Sequence, residues 1–277
     1  MKKLMKRLFA AAFIVAFLAV QAFAMTIGTF NIEYFAVSGK NHYIMEDLKY
    51  MALSIKKSGA DVLALQEIEG DTPMRYFTMK ALNGWKYYGN DTKGRQDLYF
   101  LWNPEKVSLQ GTPEVYYADD KGSFEGKSFK LFDRAPLVAR FQDKETGKVY
   151  TLINVHLKSM STRGKEDQAA AQRYNTAKRS AQFKKLNQLA KTIDGPAFIL
   201  GDYNDTNPQD EADYPLIGLT NGTSYDNHKS NLDYIGYINI DRSKLSDARE
   251  TESRVARRST KRSEHPDHDI ITVEIYD

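Results

Sequence analysis

Apolar runs that stop abruptly on a polar residue recur along this chain. Thr26-Ile-Gly-Thr-Phe-Asn-Ile32 is rich in β-branched and aromatic residues and carries Asn31 near its end, which predicts a strand. Ile44–Lys57 places apolar residues at Ile44, Met45, Leu48, Met51, Ala52 and Ile55, a helical spacing that Gly59 terminates. Asp61-Val-Leu-Ala-Leu-Gln-Glu67 then reads as a buried strand ending in a carboxylate. A second helix is predicted over Pro73–Leu82, and strands over Trp85–Tyr88 and Asp97–Trp102. Residues 118–133 read as a loop, with Gly122, Gly126 and several lysines between Phe124, Phe129 and Phe132. Strands follow over Ala135–Phe141 and Lys148–His156, joined by a hairpin-like turn at Asp143–Gly147. The longest helical pattern, Lys165–Ile193, is stopped by Gly195-Pro196.

In Pro196–Asp205 a short apolar run, Ala197–Leu200, breaks at Gly201 and ejects Asp202, Asn204 and Asp205. Strand alternation puts Asp202 and Asn204 on one side, a carboxylate and an amide facing the same substrate. The same residue types also build a plain β-turn. Residues 206–231 are polar and loop-like. Leu232–Ile238 and His268–Tyr276 are predicted strands, separated by a charged stretch from Asp241 to Asp267. Strands dominate, several are apolar enough to be covered on both faces, and a few helices lie between them. That suits sheets sandwiched between helices, an α/β or α+β architecture.

The amino terminus stands apart from this pattern. Met1-Lys-Lys-Leu-Met-Lys-Arg7 precedes an apolar run from Leu8 to Val20 and small residues at Ala22 and Ala24. A basic start, an apolar core too short to span a bilayer and a small-residue end describe a secretory signal peptide over residues 1–24. Residues 25–277 then form one domain, expected in the periplasm or outside the cell. The leader holds four of the 39 Lys and Arg and none of the 36 Asp and Glu, so the formal net charge falls from +3 to −1 on its removal. Nucleic-acid affinity must therefore come from local clustering. With no cysteine in the chain there is no disulfide and no disulfide-linked partner.

Asn31, Glu67, His156, Asp202 with Asn204, and Asp267-His268 all sit at strand edges, with Asp233 near the start of another strand. Should those ends converge, carboxylates, amides and imidazoles meet without thiols. That donor set favours a hard cation, Mg²⁺ or Mn²⁺, over Zn²⁺. Such an ion neutralises phosphate oxygens, and a His paired with a carboxylate can take a proton from water.

Thr29-Phe-Asn-Ile-Glu33, Leu65-Gln-Glu-Ile68, Asn154-Val-His-Leu-Lys158, Gly201-Asp-Tyr-Asn204, Leu232-Asp-Tyr-Ile235 and Pro266-Asp-His268 occur in that order. Together they resemble the successive motifs of the deoxyribonuclease I-like endonuclease/exonuclease/phosphatase superfamily, in its secreted bacterial nuclease branch. The resemblance implies an α+β fold, a four-layer αββα sandwich of two packed, mainly antiparallel sheets flanked by helices. It implies Glu67 as the main metal ligand, with Asn31 beside it and Asp267 adding to the shell. His268, oriented by an acid such as Asp233, would be the general base. His156 and Asn204 would bind the scissile phosphate, Asp202 would act near the nucleophile or leaving group, and Arg134 would contact phosphate.

Superfamily resemblance does not fix a substrate. Two basic stretches speak for nucleic acid. One runs from Lys158 through Arg163, Lys165, Arg173, Lys178, Arg179 and Lys184 to Lys185. The other comprises Arg254, Arg257, Arg258, Lys261 and Arg262. The expected protein is a monomeric, secreted, Mg²⁺- or Mn²⁺-dependent endonuclease acting on DNA, with RNA as a further substrate, Arg257 and Arg258 as substrate contacts and Ca²⁺ as a further candidate cofactor. The alternative is a sphingomyelinase-like or other small-molecule phosphodiesterase, for which the Phe124–Phe132 loop is the candidate membrane contact. Stable membrane association is not expected, because the lysines and glycines of that loop suit it poorly to a bilayer.

Overall fold

The computed structural model describes residues 23–39, 42–220, 230–253 and 266–277. Most of the predicted leader and the arginines at 257 and 258 lie outside these residues. In chain order the elements are β1 (Phe23–Phe35), α1 (Met45–Ser58), β2 (Val62–Ile68), α2 (Asp71–Lys80), β3 (Lys86–Gly89), β4 (Asp97–Trp102), β5 (Val107–Val115), β6 (Lys121–Phe124), β7 (Lys127–Lys130), β8 (Leu137–Asp143), β9 (Val149–His156), α3 (Gln168–Ala190), β10 (Ala197–Asp202), β11 (Leu216–Ile217), β12 (Asp233–Ile238), β13 (Arg249–Thr251) and β14 (Ile270–Tyr276).

Two six-stranded sheets result, ordered β13-β14-β1-β2-β4-β3 and β11-β12-β10-β9-β8-β5. Neighbouring strands run antiparallel except for one parallel pair in each sheet, β1 with β2 and β9 with β10. A parallel pair needs a crossover, and α1 and α3 supply it. Asp47 accepts a hydrogen bond from the Ile44 amide (2.9 Å) at the start of α1, and Gly59 ends it at φ 73°. Asp167 caps α3 by accepting from the Ala170 amide at 2.8 Å.

Strand alternation explains the four layers. In β2, Val62 and Ala64 point between the sheets, where they meet Ile27, Phe100 and Trp102 of their own sheet and Phe141, Leu152, Phe198 and Leu200 of the other. Leu63 and Leu65 point outward to Leu48, Met51 and Ile55 of α1 and to Met74 and Phe77 of α2. On the opposite side Ile153, Val155 and Ile199 pack on Phe183, Leu186 and Leu189 of α3. Both faces of each central strand are therefore apolar, as expected for sheets covered on both sides.

The inward positions turn polar towards the carboxyl ends of the parallel strands. Gln66 follows Ala64 on the inner face of β2, and Asn154 follows Leu152 on that of β9; both are fully buried. Gln66 Nε2 donates to Asn154 Oδ1 at 2.8 Å across the sheet interface. Asn154 Nδ2 donates to the carbonyls of Leu65 (2.9 Å) and Tyr99 (2.8 Å), and Thr29 Oγ1 donates to Gln66 Oε1 (3.2 Å). This network ties the two sheets in one register.

The structure corrects several loop assignments. Residues 118–133 contain a β-hairpin, β6 with β7, whose Phe124 and Phe129 rings pack against Tyr174 of α3 at 6.2 and 5.4 Å. Residues 206–231 include a 3-10 turn, Pro208–Asp210, and the edge strand β11. The charged stretch holds a second such turn, Arg242–Lys244, and the edge strand β13. Strand β5 has no sequence counterpart among the predicted elements. It is an edge strand interrupted by Gly111 (φ 72°) and Pro113 where its pairing with β8 slips, so it lacks regular alternation.

Replacing Asn154 with Ala strands the Leu65 and Tyr99 carbonyls and one Gln66 donor in a dry interior. Asn154→Ala is expected to lower unfolding stability by about 3 kcal/mol, read from urea denaturation. A loss below about 1 kcal/mol would mean that the amide bridge does not hold the sheets.

Candidate active site

One step beyond the amide network, the same inward alternation delivers Asn31 on β1, His156 on β9, Asp202 on β10 and Asp233 on β12. Asp202 pairs in register with His156 on one side and Asp233 on the other. Gly201 makes this close packing feasible: a Cβ there would lie 1.9 Å from the Val155 carbonyl oxygen. Glu67 is the penultimate residue of β2, and Asp267 and His268 lie on the approach to β14. Glu67, His156, Asp202, Asp267 and His268 line an open cavity of about 620 Å³ together with Arg134, Lys158, Asn204 and the segment 159–162, while Asn31 and Asp233 stand behind them.

Asp202 is the hub. Its Oδ2 lies 3.1 Å from Asn31 Nδ2, 3.4 Å from His156 Nε2 and 3.8 Å from His268 Nε2, while Oδ1 accepts from the Asn204 amide at 2.8 Å. His268 Nδ1 is bonded to Asp233 Oδ2 at 2.7 Å. Glu67 Oε1 stands 3.8 Å from His156 Nε2 and 3.5 Å from Asn31 Nδ2, and Oε2 accepts from the Tyr34 amide at 3.1 Å. Asn31 Oδ1 is engaged by the Glu33 amide at 3.0 Å, so its amide nitrogen is the end that faces both carboxylates.

Burial dominates the electrostatics. It pushes the Glu67 carboxyl up, opposed by His268 and reinforced by Asp267. Burial likewise raises Asp202, to about 7. For His268, burial alone would favour the neutral ring, but Asp233, Asp202 and Asp267 reverse this and hold the imidazolium up to about 10. His156 goes the other way. Burial and the Arg134 guanidinium drive it well below the ordinary histidine value, so the ring is neutral, and its Nδ1 has no hydrogen-bond partner among the described residues. The two imidazoles therefore differ in charge within one cluster.

Backbone strain gathers at this cavity. Glu33 (φ 32°), Tyr34 (φ 52°), Glu67 (φ 60°) and Asn204 (φ 49°) are non-glycine residues in the left-handed region. Arg134 is held by Gln96 Oε1 (3.2 Å) and the carbonyls of His156 (3.2 Å) and Leu157 (2.8 Å). The Asn204 side-chain amide donates to the Leu157 carbonyl at 3.2 Å.

Thus Asn31, Glu67, Arg134, His156, Asp202, Asn204, Asp233, Asp267 and His268 come together, and Arg257 and Arg258 lie outside the described residues. Tyr34 and Gln96 were missed as cavity residues. Both lie off the regular strand ladder, where no periodicity marks them. Four of the eight cations of the first basic stretch pair with acids. Lys178 and Arg179 are buried against Asp133 and Asp205, both at 2.7 Å, Lys185 pairs with Asp120 at 2.8 Å and Arg173 with Glu125 at 3.9 Å. Lys158 alone of that stretch lines the cavity.

The donors also bear on a metal. Among the described residues no three His, Asp or Glu side chains form a ready-made cage. Glu67 and Asp267 nevertheless offer two carboxylates to one cavity, and Mg²⁺ is commonly held by one or two carboxylates, waters and substrate oxygens. Those residues fit such an ion.

The family model described as "Endonuclease/Exonuclease/phosphatase family" matches residues 28–260. No curated protein sequence matches the chain. Solved structures similar in fold include an endonuclease/exonuclease/phosphatase family protein from Bacteroides thetaiotaomicron, with 15% identity and a TM-score of 0.61 over 92% of this chain and 98% of that one. D. rerio TDP2 complexed with a single strand DNA product has 13% identity and a TM-score of 0.57, over 91% and 99% of the two chains. The mannosyl-6-phosphatase Bt3783 from B. thetaiotaomicron has 15% identity and a TM-score of 0.56, over 91% and 100%. At these identities the likeness is one of fold.

Proposed function

The chain belongs to the endonuclease/exonuclease/phosphatase family, and from that premise we propose that it is a metal-dependent nuclease that hydrolyses phosphodiesters of DNA or RNA. The observation that carries this reading is the Asp233–His268–Asp202 chain at the wall of a cavity shared with Glu67, Asp267 and the Arg134 guanidinium. In this reading a Mg²⁺ or Mn²⁺ ion held by Glu67 and Asp267 neutralises charge on the phosphate when bound. Asn31 orients Glu67 through its amide nitrogen. Asp233 fixes the His268 ring by its Nδ1, leaving Nε2 towards Asp202, and the Asp202–His268 pair accepts the proton of the attacking water as one unit. Neutral His156 donates to the phosphate without adding charge, and Arg134 and Lys158 hold its oxygens.

Arg257 and Arg258 would extend the cationic wall along a strand. Against the lipid reading, the Phe124 and Phe129 rings of its candidate membrane contact pack on Tyr174. Residues 1–24 would be a cleaved leader that delivers a monomer to the periplasm or beyond. In support, the pairing of β1 with β14 slips between Phe23 and Met25 and runs regularly from Met25 onward.

Purified protein is expected to cut plasmid DNA, and by the same chemistry RNA, with Mg²⁺ or Mn²⁺, and to stop when the ion is chelated. Glu67→Gln should cost at least about 10³-fold in kcat with an unchanged melting temperature. Cleavage at wild-type rates in chelator, or by this variant, would refute the metal-carboxylate chemistry. In the same assay, Arg257→Ala with Arg258→Ala should flatten the salt dependence of binding by a slope of about 1.5. An unchanged slope would remove these arginines from the interface. N-terminal sequencing of exported protein should begin at Met25, and an intact leader there would exclude processing.

A further inference from the structure

The corner that carries Asn31 does more than aim an amide. β1 and β2 pair in register up to Asn31 opposite Gln66, and again at Phe35 opposite Ile68. Three residues thus lie between the paired positions on β1 against one on β2, a bulge of the kind that re-aims side chains beside active sites. Glu33 and Tyr34 absorb the excess in left-handed backbone, which is costly for residues with a Cβ. The corner is pinned all the same. Asn31 Oδ1 accepts from Glu33, Glu67 Oε2 accepts from the Tyr34 amide, Tyr43 Oη donates to the Ile32 carbonyl at 3.1 Å, and the Glu69 amide donates to Phe35.

What this arrangement displays is one aromatic ring. Ile32 and Phe35 on either side are fully buried, whereas Tyr34 is 38% exposed and lines the cavity beside Glu67. The Arg95 guanidinium lies 4.8 Å over the ring and is itself fixed by Glu69 at 2.9 Å. Arg95 covers the ring from one side, and Tyr34 remains partly exposed at the cavity lining. An aromatic face stiffened by a cation is suited to stacking a flat, electron-rich partner.

We propose that Tyr34 is a stacking platform for an unpaired nucleobase next to the scissile phosphate, so that the site selects single-stranded over duplex nucleic acid. This rests on the nuclease reading above. Stacking needs a base whose face is free, and in a duplex that face is taken by its neighbours.

The test compares kcat/KM, with Mg²⁺, for a single-stranded oligonucleotide, for the same strand with one abasic residue placed at each position in turn, and for its duplex. The unaltered protein should prefer the intact strand over the duplex. It should also prefer the intact strand by at least about tenfold over a strand lacking the stacked base. Tyr34→Leu should bring the intact-to-abasic ratio near one, while Tyr34→Phe, with the same backbone demands, should keep it. If Tyr34→Leu leaves the ratio unchanged, or if the duplex is the better substrate, the platform is refuted and the nuclease reading stands. If the unaltered protein cuts no strand at all, the nuclease reading falls and takes the platform with it.

Discussion

The amide bridge from Gln66 to Asn154 is the constraint on which the rest of this structure depends. Apolar contact between two sheets is non-directional and tolerates sliding. A buried amide pair does not, because every shift leaves a donor or acceptor unmet in a dry interior. The bridge sits directly beneath the cavity and also binds the carbonyls of Leu65 and Tyr99. It therefore fixes how the ends of β1 and β2 stand over those of β9 and β10. Asn31 and Asp202 belong to different sheets and 171 residues of chain separate them, yet they meet at 3.1 Å.

Above the bridge the molecule collects features that oppose its own stability. Asp202, Asp233 and His268 are buried, and four non-glycine residues hold left-handed backbone. Each charge is tolerated because it is shared: Asp233 with His268, His268 with Asp202, Asp202 with Asn31 and Asn204. The result is one protonated and one neutral imidazole flanking the same carboxylate, a division of labour set by environment, since the two side chains are chemically identical.

Helix α3 shows how charge in a sequence can mislead. Its lysines and arginines read as a solvated or DNA-facing stripe. Yet Lys178, Arg179 and Gln182 face inward and hold the loops around Asp133, Asp205, Lys158 and Leu131. The acids that neutralise them come from loops 26 and 45 residues away, so no local pattern could announce the pairing.

Most of the fold was legible in the chain itself. Apolar runs marked β2 and β10 as buried strands, Gly59 marked the end of α1 whereas α3 stops at Ala190, short of Gly195-Pro196, and polar residues at strand edges singled out Glu67, His156, Asp202 and His268. These signals are local, and a strand buried on both faces must carry them in its own residues. What the sequence did not hold were features set by distant neighbours. The hairpin β6–β7 and the edge strands β5, β11 and β13 are stabilised by partners rather than by their own pattern. Tyr34 and Gln96 reach the cavity only because a bulge and a loop turn them there. The contrasting charge states of His156 and His268 exist only once folding has removed water from one ring and set carboxylates around the other.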